Sequence, residues 1–141
     1  MPLYQSAFAL SGSTASTSSI TRPASPDSAD LARRYVNSRG FMFVGRGAGY
    51  AVALEGALKL KEVSYVHAEG YAAGEMKHGP IALIEPSMSI VAISAAGRLA
   101  DKMRSNIEQV RARGGKVILV GSDRGSIALA DEHVRVPECP E

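Results

Sequence analysis

Three charged side chains of this chain share one helical spacing. Glu55, Lys59 and Glu62 stand at positions i, i+4 and i+7, which places them within a sector of about 60° on one helix face. A carboxylate can take up a proton, and a neighbouring ammonium can stabilise the negative charge that develops. The same spacing is typical of a solvated stripe with an ordinary Glu55–Lys59 ion pair, and the spacing alone favours that interpretation.

A fourth candidate, His78, stands on a predicted turn. It belongs to the tetrapeptide KHGP, in which the residue before proline disfavours the helical region and glycine adds freedom. Histidine exchanges protons near neutral pH, so His78 is the candidate proton carrier. His67, expected in the closing turn of the helix, and His133, before a weak strand, are interpreted as structural. No spacing of Cys or His fits a metal site, and no cofactor is expected.

The helix that carries the charged residues is predicted over residues 50–66. Its apolar residues are expected to form a wide face on the side opposite the charges: Ala53, Leu54, Ala57, Leu58 and Leu60. This face would pack on the domain and leave the charged stripe pointing away from the packed surface.

The other predicted elements alternate between strand and helix. Continuous apolar runs rich in β-branched residues predict buried strands. They lie at residues 41–44, 89–93 and 116–120, with a weaker one at 134–136. A second helix is predicted over residues 98–113, and a short amphipathic helix from Leu31. This alternation predicts an α/β fold with three layers, α/β/α, around a mostly parallel sheet.

A glycine-rich loop, GRGAG, follows the first predicted strand. Parallel sheets bind ligands at the carboxyl ends of their strands, so Gly45, Arg46 and Gly47 are candidate substrate-binding residues. The loop departs from the dinucleotide fingerprint, because Tyr50 stands where a further residue is needed before the last glycine. A structural role, in a tight turn and close helix packing, is the favoured interpretation.

The composition is that of one globular domain. The 141 residues carry a formal net charge of +2 and are 45% hydrophobic, so no basic surface indicates a nucleic-acid partner. No apolar stretch has the length of a membrane span, so no membrane partner is expected. The single cysteine, Cys139, predicts a free thiol in a reducing compartment, which makes the protein cytoplasmic by expectation.

The beginning of the chain is expected to be disordered. Residues 11–28 are almost wholly Ser, Thr, Ala, Gly and Pro, and they offer too little apolar surface to offset the entropy of ordering. We therefore predict a disordered extension over residues 1–30, a domain over residues 31–137 and a tail over residues 138–141.

The chain resembles the second sugar isomerase (SIS) domain of the glucosamine-6-phosphate synthases, the glutamine–fructose-6-phosphate aminotransferases (isomerizing). Three stretches carry the resemblance: GRG, ALEGALKLKEVSYVHAEGYAAGEMKHGPIALIE and SNIEQVRARGG. The resemblance implies a flavodoxin-like SIS sheet and a role in amino-sugar biosynthesis. The implied reaction is an isomerisation in which fructose 6-phosphate that has taken up ammonia becomes glucosamine 6-phosphate.

The resemblance also implies catalytic roles for individual residues. Glu62 matches the base that moves a proton between two adjacent carbons, and Lys59 matches the residue that holds the substrate oxygens. His78 matches a residue that assists ring opening and comes from the neighbouring subunit, which implies a homodimer. The sugar phosphate is the implied substrate.

Departures from the family pattern leave the activity of the chain open. The family's glutaminase cysteine, its complete first SIS domain, its last SIS helix and its C-terminal lysine tail have no counterpart among the 141 residues. We therefore expect a C-terminally incomplete domain that acts as a fragment or subunit, with a separate chain carrying the glutaminase and first SIS domains. The alternatives are a non-catalytic module that binds phosphosugars or dimerises, and a relative of glucosamine-6-phosphate deaminase.

Overall fold

The computed structural model describes residues 27–138, so most of the predicted extension and Cys139 lie outside the described residues. Within this described part, three helices and five strands follow one another as α1 Ser28–Tyr35, β1 Gly40–Gly45, α2 Ala48–Ser64, β2 Ala68–Ala72, β3 Met88–Ile93, α3 Ala100–Ala112, β4 Lys116–Gly121 and β5 Glu132–Arg135. Shorter 3₁₀ helices span Ala73–His78, Pro80–Leu83 and Arg124–Leu129. The first of these is called the His78 helix below.

All five strands run parallel, in the order β2-β1-β3-β4-β5. This is the flavodoxin-like order, and the predicted α/β fold with helices flanking a parallel sheet is confirmed. Gly45, at the end of β1, pairs with Ala72 of β2 and with Ile93 of β3. The carboxyl ends of these three strands therefore meet at one edge of the sheet.

Strand β2 was not predicted from the sequence. Its five residues, AEGYA, include no β-branched side chain, and they become a strand by pairing with β1 at the edge of the sheet.

Helix α2 ends earlier than predicted, because Tyr65 adopts a left-handed conformation with φ of 58°. The placement of His67 in a closing helical turn was therefore wrong: His67 lies in the connection to β2.

The main core lies between the sheet and α3. Met103, Ile107 and Val110 of α3 are each at most 2% exposed, as their helical spacing predicts. They pack against the strand residues Met42, Val44, Ile90, Ala92, Val117 and Leu119. The His78 helix shares this face, since its Ala73 and Met76 belong to the same cluster.

Helix α2 covers the other face of the sheet and packs through its small residues. Ala53 and Ala57 are buried, and an added Cβ at Gly56 would lie 2.9 Å from the ring of Phe43. The prediction of a wide apolar face was wrong, because Leu54 and Leu58 are each 44% exposed. The close approach of the helix to the sheet leaves room for alanine and glycine, and it directs the leucines outward.

Helix α1 precedes the sheet and begins earlier than the predicted Leu31. Asp27 caps it by accepting a hydrogen bond from the backbone N–H of Ala29, so that the helix begins at Ser28. Arg34 forms an ion pair with Glu132, which ties the helix to β5. Across residues 27–138, no helix combines the length and the apolar character needed to cross a membrane.

Candidate functional site

The three charged residues of α2 form a continuous stripe on its surface. Lys59 Nζ lies 3.0 Å from Glu62 Oε2 and 3.7 Å from Glu55 Oε1. The side chains are 52% to 64% exposed, so the predicted shared face, pointing away from the packed surface, is confirmed. The hydrogen bond and the charge of Glu62, with a further contribution from Glu55, raise the pKa of Lys59. The stripe therefore presents a protonated amine held between two carboxylates.

Local interactions hold the end of α2 that carries the stripe. The backbone N–H of Tyr65 donates a hydrogen bond to the carbonyl oxygen of Lys61, and the hydroxyl of Ser64 donates one to the carbonyl oxygen of Leu60. Lys61 lies off the stripe and forms an ion pair with Glu69 of β2, with Nζ and Oε1 3.3 Å apart. The acid and the amine thus project from a helix whose end is fixed to the neighbouring strand.

His78 is the last residue of the His78 helix and is exposed. Its Nδ1 lies 2.7 Å from Oε2 of Glu75, and its side chain is 72% exposed. The helix stops there because Gly79 has φ of 151°, a conformation that side-chain-bearing residues rarely adopt. The ring can therefore reach a group outside this chain.

A buried asparagine anchors the start of the His78 helix. Asn106, 4% exposed on α3, donates through Nδ2 to the carbonyl oxygen of Ala73 at 2.8 Å. Its Oδ1 accepts from Nε of Arg46 at 3.0 Å, and the Arg46 guanidinium lies beside Gly74. Arg46, a predicted substrate-binding residue, thus links β1 to the His78 helix. Asn106 was missed, although a lone amide on the apolar face of α3 was a signal for it.

The glycines of the loop after β1 have structural reasons to be there. An added Cβ at Gly45 would lie 2.2 Å from the carbonyl oxygen of Gly49, so glycine lets α2 start directly against the end of β1. Gly47 precedes α2 with φ of 54°. The favoured structural interpretation of the loop accounts for both residues.

The structure separates the charged stripe from His78. The stripe lies on α2, whereas the His78 helix packs with α3 on the opposite face of the sheet. Within residues 27–138, no hydrogen bond or ion pair joins His78 to Lys59 or Glu62. From Ala48, beside the loop, to Glu62 the helix rises about 21 Å. One chain therefore brings Lys59 and Glu62 together, but neither His78 nor the loop reaches them.

The described part of the chain contains no group of three or more His, Cys, Asp or Glu side chains arranged to hold a metal ion.

A family model for the SIS domain matches residues 26–141. The chain belongs to the SIS-domain family. The resemblance stated from the sequence is confirmed.

Relatives and solved structures place this SIS domain more narrowly. It is 55% identical over 101 residues to a glutamine–fructose-6-phosphate aminotransferase (isomerizing) of Sphingobium yanoikuyae, covering 72% of this chain and 65% of that protein. It is 48% identical over 112 residues to the protein of the same name from Pyrococcus horikoshii, and the alignment covers 79% of this chain and 19% of that protein. The solved C-terminal domain of glucosamine-fructose-6-phosphate aminotransferase from Francisella tularensis is 40% identical in sequence and superposes with a TM-score of 0.69. The match covers 76% of this chain and 31% of that structure's chain. The SIS domain spans less than two thirds of either relative's length.

Proposed function

We propose that this SIS domain performs the isomerase step of amino-sugar synthesis, in which fructose 6-phosphate and ammonia give glucosamine 6-phosphate and water. The observation that carries the proposal is the Lys59–Glu62 pair, held 3.0 Å apart on an exposed helix face. Support also comes from the identity of about half of the aligned residues shared with the aminotransferases.

Glu62 is the proposed base. Fructose 6-phosphate and ammonia first form an imine with loss of water; Glu62 then removes a proton from one carbon of the imine and returns it to the adjacent carbon, so that this shift neither gains nor loses a proton overall. Lys59 holds the substrate oxygens and balances the negative charge of the intermediate. Glu55 restrains the lysine from its other side, since its Oε1 lies 3.7 Å from Nζ.

Two carboxylates of the same stripe allow a matched test of this proposal. The protein is incubated with fructose 6-phosphate and ammonia, and glucosamine 6-phosphate is measured for the wild type, Glu62→Gln and Glu55→Gln. Each substitution removes one negative charge beside Lys59, but only Glu62→Gln removes the base. Glu62→Gln should abolish product formation, and Glu55→Gln should retain most of it. Equal output from Glu62→Gln and wild type would reject Glu62 as the base.

We further propose that His78 serves the site of a second copy in a homodimer. The support is that His78 and Glu62 lie on opposite faces of the sheet and that the His78 ring is largely exposed. A ring that opens the sugar at a site containing Glu62 must then come from another chain. Dimerisation is in this view part of catalysis.

Mixing two inactive variants tests the shared site. Glu62→Gln and His78→Asn are prepared separately, and each is expected to be inactive. In a mixed dimer, one site carries both substitutions and the other carries neither, so mixing should restore activity. If the two residues act within one chain, the mixture stays inactive, and the shared site is rejected.

The phosphate group and the ammonia need further partners in this proposal. We propose that a first SIS domain grips the phosphate and that a glutaminase domain supplies ammonia, on a separate chain in the cytoplasm. The openness of the stripe to solvent supports this, because a water-excluding wall around the substrate is required for efficient proton transfer. Adding a fragment that carries these two domains should raise turnover with glutamine as the nitrogen source, and no increase would reject the partnership.

A second candidate is a non-catalytic module that binds phosphosugars. It is favoured by the exposure of the stripe, whose side chains are all more than half exposed. Calorimetric titration with glucosamine 6-phosphate separates the candidates, since binding without turnover supports the module. The deaminase alternative is disfavoured by the 48% and 55% identity to aminotransferases. Release of ammonia from glucosamine 6-phosphate by the protein would support the deaminase alternative instead.

A further inference from the structure

The three histidines of the chain differ in what holds their rings. His133 donates from Nε2 to the carbonyl oxygen of Gly121, 3.1 Å away, so this nitrogen is occupied. The His67 ring forms no hydrogen bond or ion pair within residues 27–138. Of the three rings, that of His78 pairs with a carboxylate, because its Nδ1 lies 2.7 Å from Oε2 of Glu75. No step of the proposed reaction uses the Glu75 carboxylate.

The form of the His78 helix builds this pair. A 3₁₀ helix has three residues per turn, so the side chains at positions i and i+3 lie one above the other. Glu75 and His78 have this spacing. Met76, between them in the sequence, is 0% exposed and belongs to the core, whereas Glu75 and His78 are both exposed. The backbone therefore places the carboxylate beside the imidazole on the outer side of the helix.

The backbone under the pair is fixed at both ends. At its start, the carbonyl oxygen of Ala73 accepts a hydrogen bond from Nδ2 of Asn106 at 2.8 Å. At its end, the carbonyl oxygen of Gly79 accepts one from the N–H of Ala82 at 2.9 Å. An added Cβ at Gly79 would meet no heavy atom within 4 Å, so the space beside His78 is open. The helix is thus held against the core while the ring stays accessible.

The pairing decides which nitrogen of the neutral ring carries the proton. An ionised carboxylate only accepts hydrogen bonds, so Nδ1 of His78 must carry the proton that it donates to Glu75. Nε2 then has the free lone pair, and within residues 27–138 it has no hydrogen-bond partner. A histidine side chain free in water prefers the opposite tautomer, in which Nε2 carries the proton. Glu75 therefore presents the basic nitrogen to the outside.

Stability does not account for the Glu75–His78 pair. The two side chains are 69% and 72% exposed, and an ion pair between such exposed groups adds little to the free energy of folding. The effect on the chemistry of the ring is larger. A carboxylate behind an imidazole orients the ring, sets its tautomer and stabilises the imidazolium that forms when the other nitrogen takes up a proton.

We propose that Glu75 is a positioning residue, which holds the His78 ring with Nδ1 protonated so that Nε2 takes up a proton when the sugar ring opens. Opening a cyclic hemiketal breaks the bond between the anomeric carbon and the ring oxygen. The anomeric hydroxyl gives its proton to Nε2, and Nε2 returns a proton to the ring oxygen, so that none is gained or lost. The proposal rests on the proposed function, in which His78 assists ring opening.

NMR of the ring nitrogens of His78 in the full chain tests the tautomer without any activity. At a pH of about 9, where histidine side chains are in general neutral, the nitrogen shifts report which ring nitrogen carries the proton. The wild type should show the Nδ1–H form as its main tautomer. Glu75→Ala removes the acceptor and should move the population toward the Nε2–H form. Glu75→Gln, whose amide oxygen still accepts, should lie between the two.

Glu108→Ala is the matched control for the loss of charge. Glu108 is exposed on α3 and joins no hydrogen bond or ion pair among the residues that the structure describes, so its removal should leave the tautomer as in the wild type. A wild-type ring that is mainly in the Nε2–H form overturns the proposal. So does a tautomer that Glu75→Ala leaves unchanged, or one that Glu108→Ala shifts equally.

The rate of ring opening supplies the functional readout. It is measured by NMR exchange between the cyclic and open-chain forms of fructose 6-phosphate, with ammonia left out. Glu75→Ala should lower the rate that the protein adds by about 10–100-fold, and Glu108→Ala should leave it unchanged. A wild type that does not accelerate ring opening, or a Glu75→Ala variant as fast as the wild type, overturns the proposal.

These outcomes are distinct from failure of the proposed isomerase function. Formation of glucosamine 6-phosphate is measured beside ring opening, after ammonia is added. If the wild type opens the sugar ring but forms no product, the isomerase function is rejected and the role of Glu75 stands on the tautomer and the ring-opening rate. If product forms while Glu75→Ala opens the ring at the wild-type rate, the role of Glu75 is rejected and the isomerase function stands.

Discussion

Removing the amide of Asn106 should destabilise the domain and release the His78 helix. Asn106 connects three elements: it donates to the carbonyl oxygen of Ala73 at 2.8 Å and accepts from Nε of Arg46 at 3.0 Å. Ala73 is 0% exposed, so in Asn106→Ala its carbonyl oxygen loses the hydrogen bond from the asparagine side chain in a place that water does not reach. Among residues 27–138, no other hydrogen bond then joins the helix that ends in His78 to α3.

The size of the destabilisation in Asn106→Ala follows from the burial of the hydrogen bonds that the substitution removes. The lost hydrogen bond to the Ala73 carbonyl is worth about 0.5–1.5 kcal/mol, and the lost bond from the charged, half-buried Arg46 guanidinium is worth about 1.5–3 kcal/mol. Asn106→Ala should therefore lower the free energy of unfolding by about 2–4 kcal/mol. Asn106→Asp keeps the acceptor for Arg46 but turns a second oxygen toward the Ala73 carbonyl, so it should be at least as destabilising.

Urea unfolding followed by circular dichroism measures the loss, and amide hydrogen exchange over residues 73–78 shows where it acts. Glu108→Ala is the control, because Glu108 is exposed on the same helix and joins no hydrogen bond or ion pair among the described residues. It should change the free energy of unfolding by less than about 0.5 kcal/mol. Wild-type stability in Asn106→Ala, or an equal loss in Glu108→Ala, would refute the anchoring role.

Two further predictions concern Lys59 and the loop. Glu62→Gln should lower the pKa of Lys59, measured by NMR of its side chain. Because this pKa is raised above its ordinary value of 10.5, the pair stabilises the fold below that pH and loses its contribution as pH rises through the folded-state value. Gly45→Ala should destabilise by at least about 2 kcal/mol in urea unfolding, since its Cβ meets the Gly49 carbonyl oxygen at 2.2 Å. The control Gly74→Ala, whose nearest neighbour is an Arg46 nitrogen at 3.4 Å, should stay close to wild type.

The strands differ in how much of them could be predicted. Strands β1, β3 and β4 are runs of apolar residues buried on both faces, so composition alone identified them. Strand β5 was placed within two residues of its position, Glu132–Arg135. Strand β2 has no such signal, because AEGYA becomes a strand through its pairing with β1.

For helix α2, too, the sequence predicted only part of the structure: it indicated the charged face but not which apolar side chains are buried. Its periodicity indicated which residues share the charged face, because that spacing is a property of the helix itself. It did not indicate that Leu54 and Leu58 stay 44% exposed. That exposure depends on how closely the helix approaches Phe43, which the neighbouring strand provides.

The sequence by itself determined the family, the parallel α/β architecture and the adjacency of Lys59 and Glu62, because these depend on local periodicity or on long motifs. Tertiary structure alone decided that His78 lies on the opposite face from Glu62 and that Arg46 is held by Asn106, 60 positions away. Such contacts join distant parts of the chain, and they exist only once the sheet has brought the strand ends together.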